Sequence, residues 1–548
     1  MNLPTPAHNF SDLLRQHARS APDRVAVWFP RGRSPSSDWD PIAYGELDRA
    51  ADAVAAGLRA AGFVPGERAV LMLRPDRRFY PLVFGLFRAG VVPVFIDPGM
   101  GLSRALGCVG DIGPDALIAV PPVHIVSCLH RKPFRAVRRR VTAGPRLGWG
   151  GPTLDGLLAT PTEPVDAAPV RPEDDCVIVF TSGATGAPKG VSLSHGTMRA
   201  RVELIADLLD LRPGMVISET LLVYTILEIC MGMTVAVPPM DLSKPATVDP
   251  ATVLRGVARF KPQVVSASPV VWQRLVRHAA TTGARLDGVR LLLTTAAPIP
   301  VDLHERLRAM VDPGVELFTP YGATEAMPVA MIGSAEILAT TGALTAAGAG
   351  TCVGRLAPQA DVRILRLTDA PVPTWDPALE LPVGELGEIT VVSPGVSDEY
   401  REAPAANAIA KINHDGRTRH RMGDVGYLDA DGRLWFCGRA AHVLHTAHGP
   451  VANVPIEGVI NGDPRVYRNA VVGVGPRGAE EAVCVVELEP GVPWTDGLVT
   501  ELRARLSGTR WEGMVTRFLH HPALPTDPRH NSKIRNELVR EWVATQPR

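Results

Sequence analysis

Little in the chain marks it as a binder of polymers or membranes. Aromatic residues make up only 5% of its 548 residues, and neither sign of charge prevails, with Lys plus Arg and Asp plus Glu at 57 each. That balance lacks the electrostatic footprint of a nucleic-acid binder. The one locally basic run, Arg135–Arg140, has no interleaved aromatic side chain and reads as a solvated face. Cysteine is sparse. Cys108, Cys128, Cys176, Cys230, Cys352, Cys437 and Cys484 are scattered singly without CxxC spacing, which argues against a zinc site or a disulfide framework. Cys176, Cys230 and Cys484 lie in apolar runs, where free cysteine packs as a small hydrophobe. No uninterrupted apolar stretch reaches about 18 residues, so no helical membrane span is expected. The first residues lack the apolar core of a signal peptide. The expectation is a soluble, cytoplasmic protein with no nucleic-acid partner; the oligomeric state is not legible.

Glycine and proline are plentiful, at 51 each, and fit many short loops. The length calls for two or three domains. Helix-like and strand-like patterns alternate. Phe10–Arg19, Tyr44–Ala61 and Tyr80–Ala89 carry helical periodicity. Val25–Trp28, Ala69–Leu73, Val91–Ile96, Cys176–Phe180, Val264–Ser266, Leu291–Thr294 and Glu316–Phe318 read as short strands. This alternation predicts α/β architecture with parallel sheets and crossover helices. Near residue 380 the character changes. Gly384–Val392 and Gly432–Cys437 are strand-like and joined by Asp/Gly turns, as in antiparallel sheets. Beyond Arg439 a smaller α+β unit is expected, with strands at Ala470–Val474 and Ala482–Leu488 and a helix at Leu498–Leu506. The small-residue stretch Ala339–Gly350 reads as a flexible loop.

Four segments carry chemistry. The first is FTSGATGAPKG, Phe180–Gly190. An apolar strand empties into a loop of Thr181, Ser182, Gly183, Thr185 and Gly186 that ends in Lys189. Backbone N–H groups of such a loop close around phosphate oxygens because no Cβ blocks them, and hydroxyls and an ammonium add donors. The spacing is not that of a P-loop. Alone, such a loop is more often a surface turn. The second segment is Tyr321-Gly322-Ala323-Thr324-Glu325, after a strand. It offers a ring to stack on a purine, a hydroxyl for phosphate, and a carboxylate suited to Mg²⁺. The third is His420–Tyr427, with Asp424 in a Gly-Asp turn, followed by Gly438-Arg439. A carboxylate accepts two hydrogen bonds at once. The fourth is Arg529–Arg535, containing Lys533; an isolated lysine there is usually solvated. A smaller element, Thr295-Ala296-Ala297-Pro298, follows a strand.

In this order, and over essentially the full length, the segments resemble the adenylate-forming superfamily of acyl-CoA synthetases, luciferases and peptide-synthetase adenylation domains. The resemblance implies a large N-terminal domain over residues 1–438, made of parallel-type α/β subdomains plus a small β-rich subdomain. It also implies a small mobile α+β domain over residues 439–548. ATP and Mg²⁺ become the expected cofactors and a small-molecule acid the expected partner. The reaction joins the acid to AMP and releases pyrophosphate. Thr181, Ser182, Gly183, Thr185, Gly186 and Lys189 would hold phosphates. Ala296, Ala297, Pro298, Tyr321 and Gly322 would lie against adenine, with Asp424 and Arg439 at the ribose. Thr324 and Glu325 would act at the phosphate and metal, and Lys533 would stabilise the transition state.

The hinge region Ala440–Pro450 departs from the CoA-ligase pattern: its acidic residue is absent, and His445 stands where lysine is usual. The wording is closer to olefin-pathway β-lactone synthetases, through Arg146–Gly151, Pro328-Val329-Ala330 and Ala349–Gly354. That likeness implies a β-hydroxy acid closed to a β-lactone without CoA. The segment Glu219–Glu228 departs from it, because Tyr224 and Glu228 stand in place of a Pro/Phe-rich acyl-pocket stretch. Three alternatives stay open: a nitrite-activating diazotase acting with an aryl amine, an acyl- or aryl-CoA ligase, and a catalytically silent nucleotide-binding regulator.

Overall fold

The computed structural model describes residues 8–181, 187–295, 299–526 and 534–547. Its elements alternate as the hydrophobic periodicity predicts. The Ala-rich helix Tyr44–Ala60 buries Leu47, Ala51, Val54, Ala55 and Leu58 on one face. It packs on Phe79–Ala89, a helix buried on every side. The contact is close because Gly85 lacks a side chain; a Cβ there would stand 2.5 Å from Val54. This helix pair belongs to a core that joins both large sheets.

The smaller of these sheets has seven strands among the described residues. Ala116–Ala119, Arg68–Met72, Val92–Phe95 and Asp175–Thr181 run parallel, with Arg139–Thr142 at one edge. Lys189–Ser194 and Glu399–Arg401 extend the other edge in antiparallel fashion. Near-continuous apolar stretches such as Ala116–Ala119 are buried throughout, as parallel strands covered on both faces must be. Arg139 and Arg140 are not simply a solvated face. Arg139 pairs with Glu67 at 2.9 Å, and Arg140 donates to the Ser127 hydroxyl at 2.7 Å.

The larger sheet has 14 strands among the described residues and changes character midway. One half is parallel, running from Val25–Pro30 through Thr234–Ala236, Val216–Glu219, Val264–Ala267 and Leu291–Thr294 to Glu316–Ala323. The next strand, Ala326–Gly333, returns antiparallel, and so do the strands beyond it: Thr351–Leu356, Arg433–Arg439, Arg417–Leu428, Gly387–Val392 and Asp361–Leu365. The β-rich segment expected after residue 380 is thus continuous with the parallel sheet. The seam between the halves is the hairpin that contains Thr324 and Glu325.

Towards the C-terminus, Val466–Val474, Glu481–Leu488 and Val515–His520 form a separate three-stranded sheet. It is flanked by helices Asn453–Asn461, Asp496–Ala504 and Asn536–Ala544, with its own apolar clusters. One element corrects the sequence reading. Most of Ala339–Gly350 is helical, as Ser334–Ala346 forms successive helical turns. The indole N–H of Trp511 donates to the Gly348 carbonyl at 2.8 Å and ties this segment to the C-terminal unit. The seven cysteines are free thiols, six of them buried. No helix among the described residues is long and apolar enough to cross a membrane.

Gly354 sits at a register shift between Thr351–Leu356 and Arg433–Arg439, with φ of +88°. A Cβ there would fall 2.0 Å from the Met331 carbonyl oxygen. Gly354→Ala combines left-handed strain with overpacking, and is expected to cost about 2–5 kcal/mol. The urea midpoint of the purified protein checks this; an unchanged midpoint overturns the reading.

Candidate active site

The two phosphate-loop ends that the structure describes are brought side by side. Thr181 ends its strand and pairs with Lys189, which opens the next. Ser182, Gly183, Thr185 and Gly186, between them, lie outside the described residues, as do Ala296, Ala297, Pro298 and Lys533.

The second motif is a tight hairpin. Glu316–Ala323 runs through Tyr321 and Gly322, turns at Thr324 and Glu325, and returns at Ala326, which pairs with Ala323. Gly322 is required by close approach, since a Cβ would stand 2.8 Å from the Ala326 carbonyl oxygen. Arg201, on helix His195–Leu208, fixes the turn from behind. Its guanidinium donates to the Thr324 carbonyl at 2.8 Å and to the Gly395 carbonyl at 2.8 and 3.0 Å. Burial pulls this arginine down to about 10.

The Glu325 carboxylate accepts a hydrogen bond from the Tyr400 phenol at 3.0 Å, and its carbonyl accepts from the Ser397 N–H at 2.7 Å. Two ammonium groups lie against the Tyr400 ring, Lys189 at 5.0 Å and Lys411 at 5.3 Å from its centroid. Lys411 is buried and donates to the Ser397 carbonyl and hydroxyl. Burial pushes its ammonium down to about 7, against the pull of Glu325 and Asp398. Together these contacts present one carboxylate, oriented by a phenol whose ring carries Lys189 and Lys411 against it.

The third motif brings Asp424 and Arg439 together. Asp424 does not lie in a turn but inside the long strand Arg417–Leu428, after Gly423 at φ +66°. It is in register with Arg439. One carboxylate oxygen accepts from Arg439 Nη1 at 2.7 Å, and the other from the Tyr321 phenol at 2.7 Å. The Asp424 side chain is buried, whereas Tyr321 and Arg439 line the central cavity.

That cavity encloses about 2800 Å³. Thr181, Lys189, Tyr321, Gly322, Thr324, Glu325, Tyr400 and Arg439 line it, and so do Glu219, Tyr224 and Glu228. Tyr224 and Glu228 lie on helix Leu222–Cys230, and burial raises the Tyr224 phenol to about 12. Glu219 ends the strand Val216–Glu219, at the carboxyl edge of the parallel half, where open α/β sheets bind ligands. Tyr400, Lys411 and Arg201 were not legible as site residues, and Glu219 stood in the sequence only as the first residue of the segment Glu219–Glu228.

Lys411 has a thermodynamic signature. Between pH 7 and its ordinary 10.5 the unfolded chain holds a proton on this lysine that the folded chain gives up. Stability from this residue therefore rises with pH across that window. In Lys411→Met the rise should flatten, as read by denaturant titrations across the window. Parallel slopes in mutant and wild type would remove the assignment.

The profile of the AMP-binding enzyme family matches residues 14–401. The chain is 40% identical to the olefin beta-lactone synthetase of Xanthomonas campestris pv. campestris, over 98% of each chain. It is 39% identical to that of Stenotrophomonas maltophilia, over 100% of this chain and 99% of the relative. The fold is that of the amide bond synthetase of Marinactinospora thermotolerans, with TM-score 0.79 and 23% identity over 98% of this chain and 100% of that one. ATP-bound MatB of Rhodopseudomonas palustris superposes with TM-score 0.77 and 21% identity, over 98% and 99% of the two chains. By profile, full-length identity and fold, the chain belongs to the AMP-binding enzyme family of adenylate-forming, AMP-releasing ligases.

Proposed function

We propose that the chain activates a β-hydroxy acid as its acyl adenylate and closes that adenylate to a β-lactone without CoA. The observation that carries this reading is the end-to-end similarity to the two olefin beta-lactone synthetases. In the first step a carboxylate oxygen of the acid attacks the α-phosphorus of ATP, and the bond to pyrophosphate breaks. Thr181, Ser182, Gly183, Thr185, Gly186 and Lys189 hold the phosphates. Tyr321 and Gly322, with Ala296, Ala297 and Pro298, enclose the adenine, and Asp424 with Arg439 seats the ribose. Thr324 donates to the α-phosphate, and Lys533 stabilises the charge that builds there. Lys533 arrives on a domain formed by residues 439–548.

Glu325 is the residue suited to Mg²⁺. No group of three His, Cys, Asp or Glu side chains among the described residues forms a metal cage. A single immobilised carboxylate still fits this ion, which takes one or two carboxylates and completes its shell with substrate phosphates and water. The metal would neutralise phosphate charge; Tyr400 holds the carboxylate that would receive it, and Ser397 holds the backbone carbonyl of the same residue.

In the second step the β-hydroxyl oxygen attacks the acyl carbon, the acyl–phosphate bond breaks, AMP leaves and the hydroxyl proton is lost. Nucleophile and electrophile share one molecule, so proximity replaces a second substrate. His445, at the usual lysine position of CoA ligases, is engaged with Arg477 at 3.1 Å, in keeping with a site that does not thread CoA.

Pyrophosphate release without CoA, over β-hydroxy fatty acids, aryl acids, and nitrite with an aminobenzoate, tests the reading. Release with a β-hydroxy acid, together with AMP and a ring-closed product, is expected. Release with nitrite alone would hand the scaffold to diazotase chemistry, and product formation only as a thioester would make it a CoA ligase. Asp424→Ala unseats Tyr321 and Arg439 together. ATP affinity should fall about 10–100-fold, the worth of hydrogen bonds to a charged group. Calorimetric titration of ATP reads this, and an unchanged Kd would count against the ribose assignment.

A further inference from the structure

The balanced net charge of the whole chain conceals one strongly positive face. Helix Pro121–Leu129 runs into His130, Arg131 and Lys132, and Arg135 and Arg138 follow before the edge strand Arg139–Thr142. Leu129 is 75% exposed, and Ile125, one helical turn before it, 46%. The loop after the strand adds Leu147, 62% exposed, and an exposed Arg146. This loop is held against the helix, because the Trp149 indole stacks on the His124 ring with centroids 5.0 Å apart. Among the described residues, Arg131, Lys132, Arg135, Arg138 and Arg146 form no ion pair, whereas Arg139 beside them is taken up by Glu67.

The same face carries a surface cleft of about 270 Å³, lined by Ser127, Cys128, Arg131, Phe134, Arg135 and Arg140. No carboxylate lines it. Arg140 is oriented in advance. Its Nη1 donates to the Ser127 hydroxyl at 2.7 Å and lies 3.3 Å from His124 Nδ1, while the opposite ring nitrogen of His124 meets the Val141 carbonyl at 3.1 Å. Three guanidiniums around one cleft suit the oxygens of a phosphate, because the planar fork binds two of them at once.

The mixture of apolar and charged groups decides what fits this face. The core of a protein–protein interface is depleted of charge. Here the aliphatic side chains stand singly at a helix end and on a glycine-rich loop, with cations next to them: Leu129 precedes Arg131 and Lys132, and Leu147 follows Arg146. Leucines set among cations match the boundary of an anionic bilayer. Apolar side chains enter the acyl region there, and each Lys or Arg near the headgroups adds its own attraction. The helix also has a second face. Its Val123 and Val126 line the central cavity, as does Phe134, which lines the cleft as well.

We propose that helix Pro121–Leu129, residues 131–140 and the loop 146–149 form a docking face for an anionic phospholipid surface. Ile125, Leu129 and Leu147 enter the outer acyl region, and Arg131, Arg135 and Arg140 take a headgroup phosphate in the cleft. The contact is peripheral and sensitive to salt, because exposed charges act over about one Debye length. It sets the cavity one helix away from the bilayer, where an amphiphilic acid concentrates.

Co-sedimentation of the full chain with vesicles tests this. Neither ATP nor acid is present, so the outcome is independent of the reaction assigned above. The wild type should bind vesicles of phosphatidylglycerol with phosphatidylcholine about tenfold or more tightly than phosphatidylcholine alone, and should leave them in about 0.5 M salt. Arg131→Gln, Lys132→Gln and Arg135→Gln together should weaken binding about 100-fold, at roughly fivefold for each charge. Leu129→Ser, which leaves the charge unchanged, should weaken it about tenfold. An unchanged thermal midpoint in each variant is the control for folding. Equal binding to both kinds of vesicle, binding to neither, or variants that bind as the wild type does would overturn the proposal. A wild type that ignores vesicles but forms a dimer lost in Leu129→Ser would overturn it too, and would give the face to a second copy of the chain.

Discussion

The Asp424 carboxylate is the contact on which the rest of the site depends. It joins Tyr321, from the seam of the large sheet, to Arg439, the last residue of its strand before the chain passes into the C-terminal unit. The two contacts span 103 and 15 residues of sequence and end on one side chain. In a buried setting a carboxylate with two strong donors is far better satisfied than one left to itself. The same bonds set the orientation of the ring and the guanidinium that face the cavity. Arg439 is held above its ordinary value chiefly by the Asp424 charge, so it stays cationic where it lines the cavity.

A second economy of contacts surrounds Glu325. Its carboxylate is held by a phenol rather than by a direct ion pair among the described residues, while two ammonium groups rest against that phenol's ring. A direct salt bridge would occupy the oxygens a metal needs. A phenol donor orients the group without covering its second oxygen. Arg201 completes the arrangement from the backbone side, spending its donors on the Thr324 and Gly395 carbonyls.

Local signals carried much of this into the sequence. Leu291–Thr294 was readable because apolar runs bounded by turn residues are local facts, and the structure keeps the same bounds. The strand-then-loop character of Cys176–Phe180 was readable for the same reason, and Asp175–Thr181 is one residue longer at each end. Tyr400, Lys411 and Arg201 were not readable, because what makes them matter is partnership across the fold. Arg201 meets Thr324 across 123 positions, and Tyr400 meets Glu325 across 75. Asp424 was legible through its motif; a Gly-Asp pair in isolation is turn chemistry, and pairing with strand Arg433–Arg439 overrides that preference. Ala339–Gly350 misled in the opposite sense. Small residues give no apolar periodicity, yet the segment is helical and is braced by Trp511.

The continuity of the large sheet bears on how such an enzyme diversifies. Strand Val216–Glu219 and the hairpin at Thr324 and Glu325 are linked by an unbroken ladder of backbone hydrogen bonds. A sheet of this kind does not adjust strand by strand, because a slip of one residue inverts every side chain it carries. The cavity wall that this strand and its neighbours form cannot be retuned by moving the frame. New selectivity has to come from exchanging side chains on a fixed lattice, such as the exposed face of helix Leu222–Cys230. Lineages built on this plan can therefore change the molecule they accept while inheriting the geometry of the reacting centre intact.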